Sequence, residues 1–184
     1  GSIVAAKSGA KEIDATQFVI AAGNGSPALL NPLSLKVPLY PLQGYSLTLP
    51  KPIESAIAPT LSVTDLAHRI LYAQLGEQLR IAAMVDIGYH TIRPKRVAAL
   101  RAIVRQTFPQ LSGVDEAQLW SGFRPTTPKG TPILGATPYP NLWLNIGHGS
   151  LGLTLAAGAA EVVASLITEQ PSPIDLTGLT LNDC

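Results

Sequence analysis

The spacing of apolar and polar residues predicts strands over most of the chain and only two long helices. A period close to 3.6 predicts an amphipathic helix over 94–108, and a run of small apolar residues predicts a second helix over 153–167. Alternating or continuous apolar runs predict strands at 37–40, 45–49, 62–64, 68–74, 78–86, 114–124 and 143–146.

Both ends of the chain have weaker patterns. Residues 3–7 and 16–22 flank a turn at 8–11, which predicts a hairpin, and 24–33 predicts a short helix or loop. The prolines and glycine after residue 171 predict a loose tail.

A glycine-rich turn joins the last strand to the last helix. A helix N-terminus carries unpaired N–H groups and about half a positive charge, so this turn can hold an electron-rich or anionic group against the backbone. Arg124 lies near the end of an apolar strand and offers a two-pronged donor for a carboxylate. The alternatives are a structural ion pair for Arg124 and a plain tight connection for the glycines.

Four segments together carry a family resemblance: FVIAAG at 18–23, YPLQGYS at 40–46, WSGFRPTTPKGTPILG at 120–135 and NLWLNIGHGSLGLT at 141–154. In order and spacing they resemble the C-terminal part of the FAD-dependent D-amino-acid oxidase and dehydrogenase superfamily, and within it bacterial D-amino-acid dehydrogenases. Gly25 and Lys129 depart from the residues that are frequent there, tryptophan and aspartate.

The resemblance implies an α+β fold in which an antiparallel substrate-domain sheet carries a packed helix. The N- and C-terminal segments would form an incomplete FAD-domain lobe, so Ile20 and Leu144 should lie in one domain. The implied division is a partial FAD-domain segment at 1–33, a substrate-binding domain at 34–130, a FAD-domain strand and helix at 131–170, and the tail at 171–184.

The resemblance also implies roles for individual residues. Arg124 would bind the substrate carboxylate, and Tyr45 and Tyr72 would line the substrate pocket unless they simply pack in the core. His148 lies between two glycines, which favours a backbone constraint over catalytic proton transfer. The residues implied to contact FAD are Gly23, Gly122, Gly147, His148, Gly149, Ser150, Leu151, Gly152, Leu153 and Thr154.

The implied function is oxidative deamination of D-amino acids or related small amines to 2-oxo acids. A Gly-x-Gly-x-x-Gly turn that would seat the FAD pyrophosphate is not in the sequence. We therefore expect a fragment, inactive and without FAD by itself, that lacks an N-terminal FAD-binding half and self-associates through exposed apolar surface. Gly1 and Ser2 are expected to be a tag remnant. The alternative is a stand-alone ligand-binding or interaction module.

The composition of the chain narrows the range of possible binding partners. A net charge of +1 and 5% aromatic residues argue against nucleic-acid binding, and His68 and His90 have no second ligand at metal spacing. The only cysteine is Cys184, which fits a cytoplasmic protein, with peripheral contact to the inner membrane as the alternative. The basic residues on the first long helix predict a solvated face. No apolar run is expected to span a membrane, although 146–167 comes close; its glycine and alanine content favours a tightly packed internal helix instead. The sequence leaves open the substrate, which could also be glycine, sarcosine or proline, and the electron acceptor, oxygen or a quinone.

Overall fold

The computed structural model describes residues 1–52 and 57–184 and divides them into two compact units. Unit 1 consists of Gly1–Pro41 and Arg124–Cys184, and unit 2 of Leu42–Phe123. Unit 2 is thus one continuous segment, whereas unit 1 joins two segments that are remote in sequence. The sequence-based division placed these boundaries after residues 33 and 130; its assignment of a function to each part stays a prediction.

Unit 2 is built on a five-stranded antiparallel sheet in the order β5-β6-β7-β4-β8. Its β5, β6 and β7 form a meander, as predicted, with Gly76 at φ 59° in the turn between β6 and β7. The strands are β4 (Tyr40–Pro50), β5 (Val63–Asp65), β6 (Ile70–Leu75), β7 (Gln78–Ile87) and β8 (Gln118–Thr126).

Helix α2 (Pro94–Thr107) covers one face of this sheet. Proline at its first position suits the helix start, because the missing N–H would have had no partner there. Its apolar stripe, Val97, Leu100 and Val104, is buried in a cluster with inward-facing strand residues such as Leu47 and Ile81. This is the predicted antiparallel sheet with a packed helix.

Unit 1 contains a three-stranded sheet in the order β3-β10-β9. Strand β3 (Phe18–Ile20) runs parallel to β10 (Leu142–Ile146), and Ile20 is the partner of Leu144, which confirms the predicted joining of the remote segments. Strand β9 (Ile133–Ala136) pairs antiparallel with β10. Helix α3 (Gly152–Ile167) packs on one face, while Leu30 from the short α1 (Ser26–Leu30) packs among the residues of the other.

Three details of the sequence prediction are wrong. The N-terminal hairpin pairs β1 (Ala5–Ser8) with β2 (Lys11–Asp14), because the apolar run that was assigned to it is β3, which joins β10 instead. Strand β9 was not predicted. Residues 37–40 are not a separate strand, since β4 begins only at Tyr40.

The C-terminal segment is packed, contrary to the predicted loose tail. The Leu134 N–H donates to the Leu179 carbonyl at 2.7 Å, and Leu176 and Leu181 contact the apolar clusters of unit 1. Thr180 and Asp183 close the end with reciprocal side-chain and backbone hydrogen bonds. These contacts tie the segment to β9.

Helix α3 differs from the tightly packed internal helix that its composition suggested. The stretch Gly149–Ile167 has 19 residues and a mean hydropathy of 1.7, so within the described part of the chain it has the length and composition of a membrane span, contrary to the sequence prediction. Only 17% of it is buried, and Leu153 is 94% exposed. Most of the helix surface therefore has no cover from the residues that the structure describes.

Candidate functional site

The glycine turn between β10 and α3 has a backbone that side chains rarely allow. Gly147 has φ 82° and Gly149 φ 56°, both in the left-handed region. A short 3-10 turn, Gly149–Leu151, leads into α3 at Gly152, and no side chain caps the helix start. The Leu151 N–H donates to the His148 carbonyl within the turn, and the described residues provide no side-chain cap for the helix start. A helix start without a side-chain cap favours an anionic or electron-rich group.

The glycines of this turn have different reasons to be glycine. A Cβ on Gly147 would lie 2.7 Å from Thr127 Cγ2 and 3.1 Å from Leu39 Cδ2, so packing within unit 1 excludes a side chain there. Gly152 has an ordinary helical φ of −53°, and a Cβ on it would meet only His148 Cβ, at a normal 3.5 Å. Nothing in the described chain requires glycine at 152, so its missing side chain leaves room for a group that approaches the helix start.

The end of β8 lies beside this turn. Thr126 forms an antiparallel bridge with His148, and Arg124 precedes Thr126 by two residues on the same strand. A Cβ on Gly23, which has φ 53°, would lie 3.8 Å from Pro125 Cγ. The structure therefore brings Arg124, the 147–154 turn and Gly23 into one region of unit 1.

Burial changes the acid–base properties of the two charged candidates. It lowers the pKa of the Arg124 guanidinium and the pKa of the His148 imidazole, in both cases because burial disfavours the charged form. The lowered pKa makes His148 neutral at neutral pH. Its buried Nε2 has no hydrogen-bond partner among the described residues. A neutral imidazole can offer that nitrogen as a donor or an acceptor, depending on its tautomer.

One polar residue of this region was missed in the sequence. The Asn145 side-chain oxygen is buried and has no hydrogen-bond partner within the described chain. Asn145 alternates with Leu144 and Ile146, which point into the apolar cluster, so it faces the side of the sheet that carries α3. The sequence did contain a signal for this residue, namely a polar amide in the middle of an otherwise apolar strand.

The two tyrosines lie in the core of unit 2. Tyr45 is 1% exposed and donates its hydroxyl to Asp86 at 3.0 Å, while the ring of Tyr72 packs edge-on against Phe108 at 5.0 Å. Burial is the largest cause that raises the pKa of both phenols. These contacts are those of the packed-core alternative, and a substrate contact by either tyrosine stays a prediction.

Gly122 has a packing reason of its own. The indole of Trp120 folds back across the strand and occupies the place of a side chain at 122. Trp120 is 56% exposed, and the Arg80 guanidinium lies 5.6 Å from the centre of its ring. The FAD contact implied for Gly122 stays a prediction.

The basic face of α2 is partly engaged within unit 2. Arg96 Nε lies 2.9 Å from Asp86 Oδ1, and Arg93 lies 3.6 Å from the other oxygen of that buried carboxylate. Arg105 pairs with Asp115. No group of three or more candidate metal ligands occurs among the described residues.

Comparison with known proteins identifies the class of protein to which this fold and turn belong. The family described as FAD dependent oxidoreductase matches residues 1–166. D-amino acid dehydrogenase 2 of Pseudomonas aeruginosa is 51% identical over 169 residues, which is 91% of this chain and 40% of that protein. D-amino acid dehydrogenase of Paramagnetospirillum magneticum is 42% identical over 172 residues, 92% of this chain and 40% of that protein.

A solved structure gives the same fold. Glycine oxidase from Geobacillus kaustophilus superposes with a TM-score of 0.77 at 24% identity, over 92% of this chain and 46% of that one. The chain belongs to the FAD dependent oxidoreductase family, and it spans about 40% of the length of the curated relatives it matches.

The turn at the start of α3 suits a flavin chemically. The positive end of a helix without a side-chain cap matches the electron-rich edge of a flavin ring, and the bare backbone at Gly152 permits close approach. The partnerless Nε2 of His148 and Oδ1 of Asn145 add polar atoms to the same region.

Proposed function

We propose that this chain is the part of an FAD-dependent D-amino-acid dehydrogenase that holds the substrate carboxylate and one edge of the flavin. The observation that carries the proposal is the placement of Arg124 two residues from the Thr126–His148 bridge, beside the uncapped start of α3. Identities of 51% and 42% to proteins named D-amino acid dehydrogenases support the substrate class.

Arg124 has the chemistry of a carboxylate clamp. Its guanidinium can donate two parallel hydrogen bonds to a carboxylate, and burial strengthens such a charge-assisted pair relative to one in water. Fixing the carboxylate would orient the α-carbon of the amino acid, and orientation alone can supply a large part of the rate enhancement in such a reaction.

In the proposed reaction, the substrate ammonium group would lose a proton to solvent and the α-carbon would then give up a hydride. Bound FAD would supply the hydride acceptor, while the positive end of α3 and the neutral His148 would stabilise negative charge at the pyrimidine edge of the ring. The resulting imino acid hydrolyses to a 2-oxo acid and ammonia.

The test supplies the part of the relatives that this chain does not span. The segment of the Pseudomonas aeruginosa relative that precedes the matched region would be fused ahead of Ile3 and the product purified with FAD. We expect D-alanine to bleach the flavin under anaerobic conditions and to yield pyruvate, with L-alanine as the control substrate. A fusion that folds and holds FAD but is not reduced by any of a panel of D-amino acids, glycine, sarcosine and proline would contradict the proposal.

For the chain by itself we propose neither FAD binding nor catalysis. Its turn covers one edge of the ring, whereas the pyrophosphate site that this family resemblance implies requires a glycine motif that the sequence lacks. The exposed apolar surface of α3, including Leu153 and Leu155, supports association with a further polypeptide segment or with a second copy. Carboxylate binding by a chain that stays inactive when the other part is supplied would favour a ligand-binding module.

A further inference from the structure

A pocket of about 370 Å³ lies within unit 2 beside α2, and its lining includes Val97 and Leu119, which also belong to or pack against the core cluster. Val97, Arg101 and Arg105 follow one another at intervals of four residues, so they line up along one face of the helix and form one wall. Ile92, Pro94, Ala98 and Leu119 add apolar surface. The volume falls within the lower part of the range, roughly 300 to 1,000 Å³, of small-molecule sites.

The polar groups of this pocket are not balanced. Arg105 pairs with Asp115. The hydrogen bond from Arg105 is the largest cause that lowers the pKa of the Asp115 carboxyl, and the positive charges of Arg105 and Arg101 lower it further. Arg101 adds a second cation, and its Nε is buried without a hydrogen-bond partner among the described residues. Two guanidiniums and one carboxylate leave the pocket lining with one net positive charge.

Arg101 lines the pocket, and none of the ion pairs among the described residues involves it. An anion in the pocket could therefore accept hydrogen bonds from the terminal nitrogens of its guanidinium group. The single net charge matches a monoanion better than a phosphate dianion, and the apolar wall around Ala98 and Leu119 matches an apolar body. We propose that this pocket binds a small organic monocarboxylate with an apolar side chain, its carboxylate on Arg101.

The proposal predicts saturable binding of phenylacetate to this chain, measured by isothermal titration and by amide chemical-shift changes. The shifts should be concentrated at Ala98, Arg101 and Leu119. Phenylacetamide, the neutral analogue, and inorganic phosphate should bind at least about tenfold more weakly, since each lacks the charge or the apolar body. Stronger binding of phosphate than of phenylacetate would overturn the assignment to a monocarboxylate.

Variants separate the carboxylate contact from general damage to the helix. Arg101→Gln should weaken phenylacetate binding by about tenfold or more, and Arg101→Lys should restore only part of it. Ala98→Trp should fill the pocket and block binding while Arg101 remains. Ala99→Trp is the matched control, because Ala99 is exposed on the same helix and does not line the pocket.

This site is independent of Arg124 in the proposal, so Arg124→Ala should leave the shifts at Ala98 and Leu119 unchanged. Circular dichroism and the melting temperature check that each variant is folded. The proposal is overturned if folded wild-type chain shows no saturable binding, if Arg101→Gln or Ala98→Trp binds like the wild type, or if the shifts follow Arg124 instead.

Discussion

The long helices of the two units bury their apolar side chains to very different extents. In unit 2 the strand residues and the stripe of α2 close on each other, and Leu47, Ile81 and Leu100 are all 0% exposed. In unit 1 the sheet has a buried centre at Leu144, but α3 leaves Leu153 94% exposed and Leu151 55% exposed. In unit 2 the core face of the sheet is therefore covered by α2, whereas in unit 1 much of the apolar surface of α3 stays exposed.

The contrast follows from how each unit is assembled. Unit 2 is one continuous segment of strands and a helix, so α2 and the core residues that it covers lie within the consecutive residues 42–123. Unit 1 depends on the parallel pairing of Ile20 with Leu144, and its sheet has only three strands. The candidate flavin site lies in the unit with the uncovered helix, as expected if a further polypeptide segment completes both the layer and the site.

The largest effect should come from the core of unit 2. Ile81→Ala should cost about 2 to 5 kcal/mol of stability, because it leaves a cavity in a closed cluster. Leu153→Ala should change stability by less than about 0.5 kcal/mol, because the side chain is exposed. Amide hydrogen exchange reports both, since the protection in β7 and in α3 can be followed separately.

If Leu153→Ala lowered the protection of α3 as much as Ile81→Ala lowers that of β7, the exposure of α3 would not hold in solution. Leu153→Ala should instead weaken self-association, measured by light scattering. The comparison between units would fail if unit 2 lost protection before unit 1 in the wild type.

Arg124→Ala should have the next largest effect, on activity in the fused enzyme. Loss of a charge-assisted double hydrogen bond should cost about 2 to 4 kcal/mol of the transition-state stabilisation that kcat/KM reports. Arg124→Lys should rescue activity poorly, because an ammonium group cannot donate two parallel hydrogen bonds as a guanidinium does. Steady-state kinetics with D-alanine measures this. Lys95→Ala, an exposed cation on α2, is the control. Near-normal kinetics for Arg124→Ala would remove the arginine from the substrate site.

Two glycines in unit 1 should respond in opposite directions to the same change. Gly147→Ala should destabilise by roughly 2 to 3 kcal/mol, because its φ of 82° is unfavourable for alanine and the new Cβ meets Thr127 and Leu39. Gly158→Ala, in the middle of α3, should stabilise by about 0.5 to 1 kcal/mol, since its Cβ would enter open space. Chemical denaturation of unit 1 measures both, and equal effects would contradict this account of the turn.

The smallest effect concerns pH. Burial lowers the pKa of His148 in the folded chain below its ordinary value of 6.5, so around and below that pH the folded state binds fewer protons than the unfolded state. The contribution of His148 to stability is therefore fully present above 6.5 and is lost as the pH falls toward the folded pKa. His148→Gln should reduce this slope in denaturation curves, whereas His90→Gln, an exposed control, should keep it. A slope unchanged in His148→Gln would show that burial does not govern this group.

Sequence reasoning succeeded where the signal was local. The meander of unit 2 follows from alternating strands and a glycine turn at Gly76, and α2 from its apolar stripe. Strand β2 was missed because Lys11 to Asp14 are all exposed and show no alternation. The packing of the C-terminal segment depends on leucines without a period, Leu176, Leu179 and Leu181, which find their partners in other elements.

Part of the candidate site could also be predicted, because some of its residues belong to local sequence motifs. Arg124 and the 147–154 turn carry motifs, so their identities were available, while their proximity depends on the Thr126–His148 bridge. The pairing of Ile20 with Leu144 came from the family resemblance and not from any local pattern. The fold of Trp120 over Gly122 is a matter of side-chain rotamer, on which the sequence is silent.

The central claim is that the turn at the start of α3 is one edge of a flavin site which another polypeptide segment completes. The most direct measurement is the visible flavin absorbance per chain after incubation with excess FAD and gel filtration, made on this chain alone and on its fusion to the preceding part of the Pseudomonas aeruginosa relative. We predict a colourless chain, with a mass above that of one 19.3 kDa protomer, and a fusion that holds one FAD. A stoichiometrically yellow chain that oxidises D-alanine by itself would contradict the account.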